Sequence, residues 1–244
     1  VTNAYWAVSK EAAQALLSQL TGLTDLYIST DEFHARDIPL DYVLNASHVA
    51  HEMGLRVSLS VSYCRIEDYW DFRSQLERRL EIPIPIVPLQ IVRQGNAERL
   101  GLERFDLTEY IPRGRCRGIN VPMVDKNGVV HACCEPPLNA KVAHNPLKLG
   151  DLHHEPLSTI LARVEQSPYI QALRVWGPGY IAQLAIKGGL KHRLSRAYPR
   201  DSICEVCYDL LKDEEVLAVV NKKLEQPQIQ REIAVRRLLL SRGR

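Results

Sequence analysis

The sequence predicts an α/β protein, an incomplete run of parallel strand–helix units followed by a smaller α+β domain. Three observations carry this. Apolar spacing over the first hundred residues switches repeatedly between a strand period and a helix period. The pattern changes after "RFDLTEYIP", where a hairpin with a Gly-containing turn replaces the strand–helix alternation. The second part then carries a C-x-x-C pair, Cys204 and Cys207.

The elements follow in order. "VTNAYWAVS" reads as the end of a strand and a loop. Ser9 caps a helix over 10–20, with Ala12, Ala13, Leu16, Leu17 and Leu20 on one side and Gly22 stopping it. "DLYIST" is a short apolar strand. "IPLDYVLNASHVAHEMG" is a helix with Pro39 in its first turn and Gly54 past its end. "RVSLSVSYC" alternates, placing Val57, Leu59, Val61 and Tyr63 on one face. "EDYWDFRSQLERRL" is helical, and "IPIVPLQIV" is a strand that Pro85 and Pro88 confine to an edge or make irregular. Short loops between strands and helices mean parallel βαβ units, here too few for a closed eight-unit barrel. Residues 1 to about 100 therefore read as the back part of an α/β barrel, starting in mid-unit.

Beyond it, "GINVPMVDKNGVVHACC" forms a hairpin around "DKNG", where Asn127-Gly128 suits positive φ. "LSTILARVEQSPYIQAL" reads as one helix, and "WGPGYIAQLAIKGGLKHRLSRAYPR" as a Gly-rich and then basic stretch. The C-x-x-C lies on a tight turn, and a helical region over 209–241 is broken or kinked by Pro227.

Bulk composition narrows the function. The 244 residues are 45% hydrophobic and 25% charged with a net charge of +2. That is ordinary globular composition, with no whole-molecule field to attract nucleic acid. No apolar run approaches a membrane span, so no membrane partner is expected. Six cysteines without a secretion signal suggest a reducing, cytoplasmic compartment, where thiols serve as metal ligands, catalytic groups or inert core residues. Cys64 reads as a core thiol. Cys116 and Cys133 bracket the hairpin, and Cys204 and Cys207 aim two sulfurs at one point. Four thiolates suit tetrahedral zinc or an iron–sulfur cluster.

Cys116, eleven residues, Gly128, four residues and Cys133 together resemble the C-x(9–15)-G-x(4)-C motif that opens the twitch and SPASM domains of radical SAM enzymes. "KLGDLHHEPLSTIL" resembles the segment after that hairpin. "TNAYWA" resembles the "TNG" loop after the third barrel strand, and "YISTDEFH" the fourth-strand segment. "VRQGNA" is similar to a Gly-containing turn after the sixth strand. The resemblance implies a partial (β/α)6 TIM-like barrel, third strand onward, over 1–105. A twitch/SPASM-like iron–sulfur domain over 106–212 and a C-terminal helical tail over 213–244 follow. It implies Cys116, Cys133, Cys204 and Cys207 as ligands of an auxiliary [4Fe-4S] cluster, with Cys134 as substitute for Cys133. No cysteines follow Cys207, so the twitch or a shortened SPASM pattern fits better than the full SPASM pattern. Asn3, Ser29 and Asp31 are implied contacts to S-adenosylmethionine. Polar groups at the carboxyl ends of α/β strands are where ligands bind. Taken alone, Asp31 reads as a helix cap in a polar loop.

The C-x-x-x-C-x-x-C loop that binds the S-adenosylmethionine-cleaving cluster does not occur in these 244 residues. The expectation is a fragment lacking the first two βα units and inactive by itself. The full-length protein would hold S-adenosylmethionine and a second [4Fe-4S] cluster. It would cleave S-adenosylmethionine reductively to a 5′-deoxyadenosyl radical and oxidise or modify a peptide or small-molecule substrate. An electron donor such as flavodoxin or ferredoxin is the implied partner. The competing readings are a zinc-stabilised binding module on an α/β scaffold and a degenerate, non-catalytic relative.

Among other residues, His34 follows Asp31 into the loop and is the best histidine for a substrate contact. His48 and His51 share a helix face and read as surface residues. The basic stretch Lys187–Arg200 reads as a solvated helix face, and "REIAVRRLLLSRGR" as a helix packing on the domain.

Overall fold

The computed structural model describes residues 1–133, 142–200 and 202–241. The chain is a mixed α/β protein with small sheets, none of them closed. It divides into two compact units, residues 1–91 with 103–105 and residues 92–102 with 106–244.

The first unit is a parallel three-stranded sheet in the order β1 (Asp25–Ser29), β2 (Arg56–Tyr63), β3 (Ile86–Gln90). Thr2 adds a parallel bridge to Ile28 on the free side of β1. Three helices supply the crossovers and cover, α1 (Lys10–Leu17), α2 (Leu40–Glu52) and α3 (Ile66–Arg79). The alternation in "RVSLSVSY" places Val57, Leu59 and Val61 with Leu26 and Ile28 in one core, beside Ala13, Leu17, Val43, Val49, Phe72 and Leu76 of the helices. The opposite face carries Ser29, Ser58, Ser60 and Ser62, with Tyr27, Val87 and Leu89 about half exposed. β3 is an edge in this sheet, as its prolines require. Ser9 caps α1 by accepting from the Ala12 N–H, and Pro39 sits just before α2 instead of inside its first turn. His48 is buried, not on the surface as the sequence suggested, because α2 turns Ala46, His48, Val49 and Ala50 inward together; His51 is exposed.

In the second unit, β5 (Met123–Val124) and β6 (Val129–His131) pair antiparallel, and β7 (Lys148–Asp151) extends the sheet from β6. β4 (Leu107–Thr108) pairs antiparallel with β8 (Tyr198–Pro199). Among the described residues, six helices complete the unit: α4 (Leu157–Gln166), α5 (Pro168–Val175), α6 (Pro178–Lys187), α7 (Ile203–Leu210), α8 (Glu214–Leu224) and α9 (Pro227–Ser241). Their shared core includes Ile170, Leu173, Ile181, Leu184, Val206, Leu210, Val216, Val220 and Leu224.

The expected single helix over 157–173 is two helices. Ser167 caps α5 by accepting from the Ile170 N–H, and Pro168 takes the first helical position, where its missing N–H costs nothing. The Gly-rich stretch contains a full helix, α6, entered through Gly177-Pro178. Pro227 opens α9 and so breaks the terminal helical region.

At the foot of the first sheet, Arg56 clasps Asp25 through Nε and Nη2, each 2.6 Å from a carboxylate oxygen. Those bonds, with one from Thr24, lower the Asp25 carboxyl to about 2. A carboxyl depressed in the folded state stabilises above its unfolded pKa, about 3.9, and loses that contribution as pH falls toward 2. Urea unfolding between pH 5 and 2 should show a stability loss in this window that Asp25→Asn removes.

Candidate metal centre

The four cysteines singled out by their spacing reach one region of the second unit from three directions. Cys116 lies on the extended segment before the turn at Gly118–Asn120, and its N–H donates to the Leu173 carbonyl of α5 at 3.3 Å. This segment lies flush against the start of α6. A Cβ on Gly177 would fall 1.6 Å from the Gly114 carbonyl oxygen, and one on Gly179 would fall 2.4 Å from the Pro112 oxygen. Gly177 also has φ of 80°, so only glycine satisfies both demands. "WGPG" thus sets where Cys116 rests.

Cys133 follows β6. The hairpin turn places Gly128 at φ 78°, while Asn127 stays at negative φ. Asp125 accepts from the Asn127 and Val129 N–H groups and contacts His131 Nε2 at 3.2 Å. His131 holds the Asp125 carboxyl below its usual range, assisted by those two N–H groups. The Ala132 N–H donates to the Leu147 carbonyl, so the strand partner fixes the chain up to the residue before Cys133.

Cys204 and Cys207 lie at the start of α7 and not on a tight turn. Their i, i+3 spacing puts both sulfurs on one face of a helix, which serves the same convergence. The residues around them are held firmly. Glu205, buried between the two cysteines, accepts from the Arg93 N–H at 2.6 Å and from Arg93 Nη2 at 3.1 Å. Two residues past Cys207, Asp209 accepts from the Ser195 N–H, the Ser195 hydroxyl and the Tyr198 hydroxyl at 2.7–2.8 Å.

Cys116, Cys133 and Cys207 pack against the same apolar core. Burial pushes the Cys207 thiol up, and the neighbouring Cys133, Cys204 and Cys116 push it further. Among the described residues, no three His, Cys, Asp or Glu side chains form a ready-made group for a metal ion. Cys134 lies outside the described residues.

Tyr169 is buried on α5, and its hydroxyl has no hydrogen-bond partner. Burial raises this phenol, and Cys207 adds to the effect. An unmet buried hydroxyl costs about 1–3 kcal/mol.

In the first unit, Asn3, Ser29 and Asp31 lie at or just beyond the carboxyl ends of neighbouring strands. The Asn3 side chain accepts from the Tyr5 N–H, and Ser29 receives the Ser60 hydroxyl at 3.3 Å. Asp31 is buried and accepts from the Phe33 and His34 N–H groups, each at 2.9 Å, capping the turn that follows. His34 Nδ1 lies 2.8 Å from the same carboxylate oxygen. Ala4 has φ of 62°, held by donation of its N–H to the Thr2 hydroxyl. Cys64 is buried apart from the other cysteines' core, its thiol raised by burial and partly lowered by Arg104.

Sequence reasoning missed Tyr169, Glu205, Asp209 and the two glycines of "WGPG". Glu205 lay in view, since it is an acid inside the C-x-x-C, where burial requires a cation. No protein-family model matches the chain, and no curated protein matches its sequence.

Gly177→Ala should cost more than about 3 kcal/mol, beyond the usual span of about 0.5–3 kcal/mol for point substitutions, because its Cβ meets backbone. Gly189→Ala is the control, because it has φ of 86° but nothing within 4 Å. It should cost about 1–2 kcal/mol from left-handed strain alone. Urea unfolding of both variants checks this.

Proposed function

We propose that this chain is part of a radical SAM iron–sulfur enzyme, in which the second unit holds an auxiliary [4Fe-4S] cluster through Cys116, Cys133, Cys204 and Cys207. The observation that carries the reading is the convergence on Cys207. A hairpin end, an extended segment and a helix start deliver thiols that act on one another electrostatically in a region otherwise built from apolar side chains. A single tetrahedral ion, with bonds of about 2.3 Å, needs its sulfurs roughly 3.8 Å apart. A cluster places iron and sulfide between its thiolates and asks for no such tight knot.

The first unit supports the same reading. Strands in sequential order with all helices on one face belong to a singly wound, barrel-type sheet, in which every right-handed crossover returns on the same side. On this reading the serine-lined face is an arc of the inner wall of a partial (β/α)6 barrel. Asn3, Ser29 and Asp31 stand at its carboxyl-end rim, the position for S-adenosylmethionine. Ala4 keeps a left-handed backbone at the place where the resembling loop has glycine, and strain of this kind gathers at ligand-binding loops.

The bound cofactors would supply reductive cleavage of S-adenosylmethionine to a 5′-deoxyadenosyl radical that abstracts hydrogen from a peptide or small-molecule substrate. The chain's own contribution is positional. Arg93 neutralises Glu205 between the two cysteines, Asp209 anchors the C-terminal end of α7, and the barrel rim would offer hydroxyl and carboxylate groups to a sugar and an ammonium. Electrons would come from a flavodoxin- or ferredoxin-type donor.

Anaerobic reconstitution with iron and sulfide should give a brown protein with about four iron and four sulfide per chain. Ser in place of Cys116, Cys133, Cys204 or Cys207 should each lower that content by at least half, whereas Cys64→Ser should not. Colourless protein that retains one zinc would instead establish the binding-module reading.

A further inference from the structure

We infer that a cationic groove in the second unit, walled by residues 109–113 and by residues 186–196, binds an acidic segment of another polypeptide. The segment it fits carries carboxylates interspersed with apolar side chains. The inference stands apart from the cluster reading and uses none of the cysteines.

The groove encloses about 900 Å³ and has two kinds of lining. Its apolar part is Leu194, which is buried, with Ile111 and Ile186, which are half-buried. Its cations are Arg113, Lys191 and Arg196, all exposed, against Glu109 as the one acid among the lining residues. Among the described residues, none of these three cationic side chains has a hydrogen-bond or ion-pair partner. Past α6, the basic stretch is not the helix face that its composition suggested but a single turn, Lys191–Arg193, and an irregular segment. Its cations divide. Arg193 is held by Asp213 and Glu215, and Arg200 by Asp106, whereas Lys191 and Arg196 are left to the groove.

Both walls are held before a ligand arrives. They diverge from one antiparallel pair, in which Thr108 of β4 faces Tyr198 of β8. On one side the Pro112 carbonyl packs against Gly179, where a Cβ would fall 2.4 Å from its oxygen. On the other, Ser195 donates its N–H and its hydroxyl to Asp209. A preformed groove loses little free energy to ordering when it binds. Arginines take carboxylates through paired N–H donors, and Tyr110, 85% exposed, adds an aromatic ring to the lining. Tyr and Arg are enriched among the residues that carry protein–protein binding energy. Nucleic acid fits less well. Three cations neutralise few phosphates, the apolar lining has no phosphodiester counterpart, and Glu109 would repel a phosphate backbone.

The test pans the full chain against a degenerate peptide library and then measures an enriched peptide by fluorescence anisotropy. Enriched sequences should combine Asp or Glu with Leu, Ile or Phe and should bind less tightly as salt rises. Arg113→Glu together with Arg196→Glu should weaken binding about tenfold or more, since like charges then meet across the interface. Tyr110→Ala should weaken it about fivefold. All three positions are exposed, so these variants should unfold in urea as wild type does. Lys126→Glu together with Lys222→Glu makes the same change in net charge at residues that do not line the groove, and should alter binding by less than about twofold. Failure to enrich acidic sequences overturns the inference. Equal weakening by the two double variants would show charge attraction alone and also overturn it. So would full displacement of the peptide by millimolar inorganic phosphate, or tighter binding of a single-stranded DNA oligonucleotide. Iron or zinc uptake by the cysteines bears on none of these outcomes, so the cluster reading and this one fail separately.

Discussion

A thiol packed against an apolar core carries charge poorly, and in the second unit Cys207 meets that constraint most directly. It shares its surroundings with three other cysteines and with a core of Ile, Leu and Val. Desolvation and the neighbouring sulfurs both oppose its ionisation, so its thiol is pushed up. The hairpin, the "WGPG" contact and α7 are the three elements that position these sulfurs.

Carboxylates beside such a site would work against it unless neutralised. Glu205 lies within the C-x-x-C, yet its charge is met by Arg93 through backbone and guanidinium together. Asp209 is met by the Ser195 N–H and hydroxyl and the Tyr198 hydroxyl, with Lys212 Nζ 3.9 Å away. Each carboxylate also ties α7 to a distant part of the sequence, residue 93 in one case and residues 195–198 in the other. α7 is thereby fixed near its start by Glu205 and near its end by Asp209.

Legibility in the sequence tracked how local the physics was. Strand alternation in "RVSLSVSY" and the turn in "DKNG" depend on neighbours along the chain, and both were readable. Ser167-Pro168 was read through because the apolar spacing continues across it, while a helix cap and an N1 proline restart the helix there. "WGPG" was read as loop because Gly and Pro punctuate turns. Its real constraint, the Gly114 carbonyl against Gly177, comes from a segment some sixty residues earlier. The cysteine spacing placed the C-x-x-C on a turn, whereas it lies on α7, since spacing alone does not distinguish a turn from a helix. Tyr169 carried no sequence signal, because an orphaned hydroxyl exists only in three dimensions.

Placing the C-x-x-C on α7 sets its two cysteines at different depths in the helix. Cys204 lies in the first turn, where the unpaired N–H groups carry partial positive charge, whereas Cys207 opens the second. The helix-end field falls off within the first turn, so at Cys207 burial and the neighbouring sulfurs decide, and its thiol is pushed up.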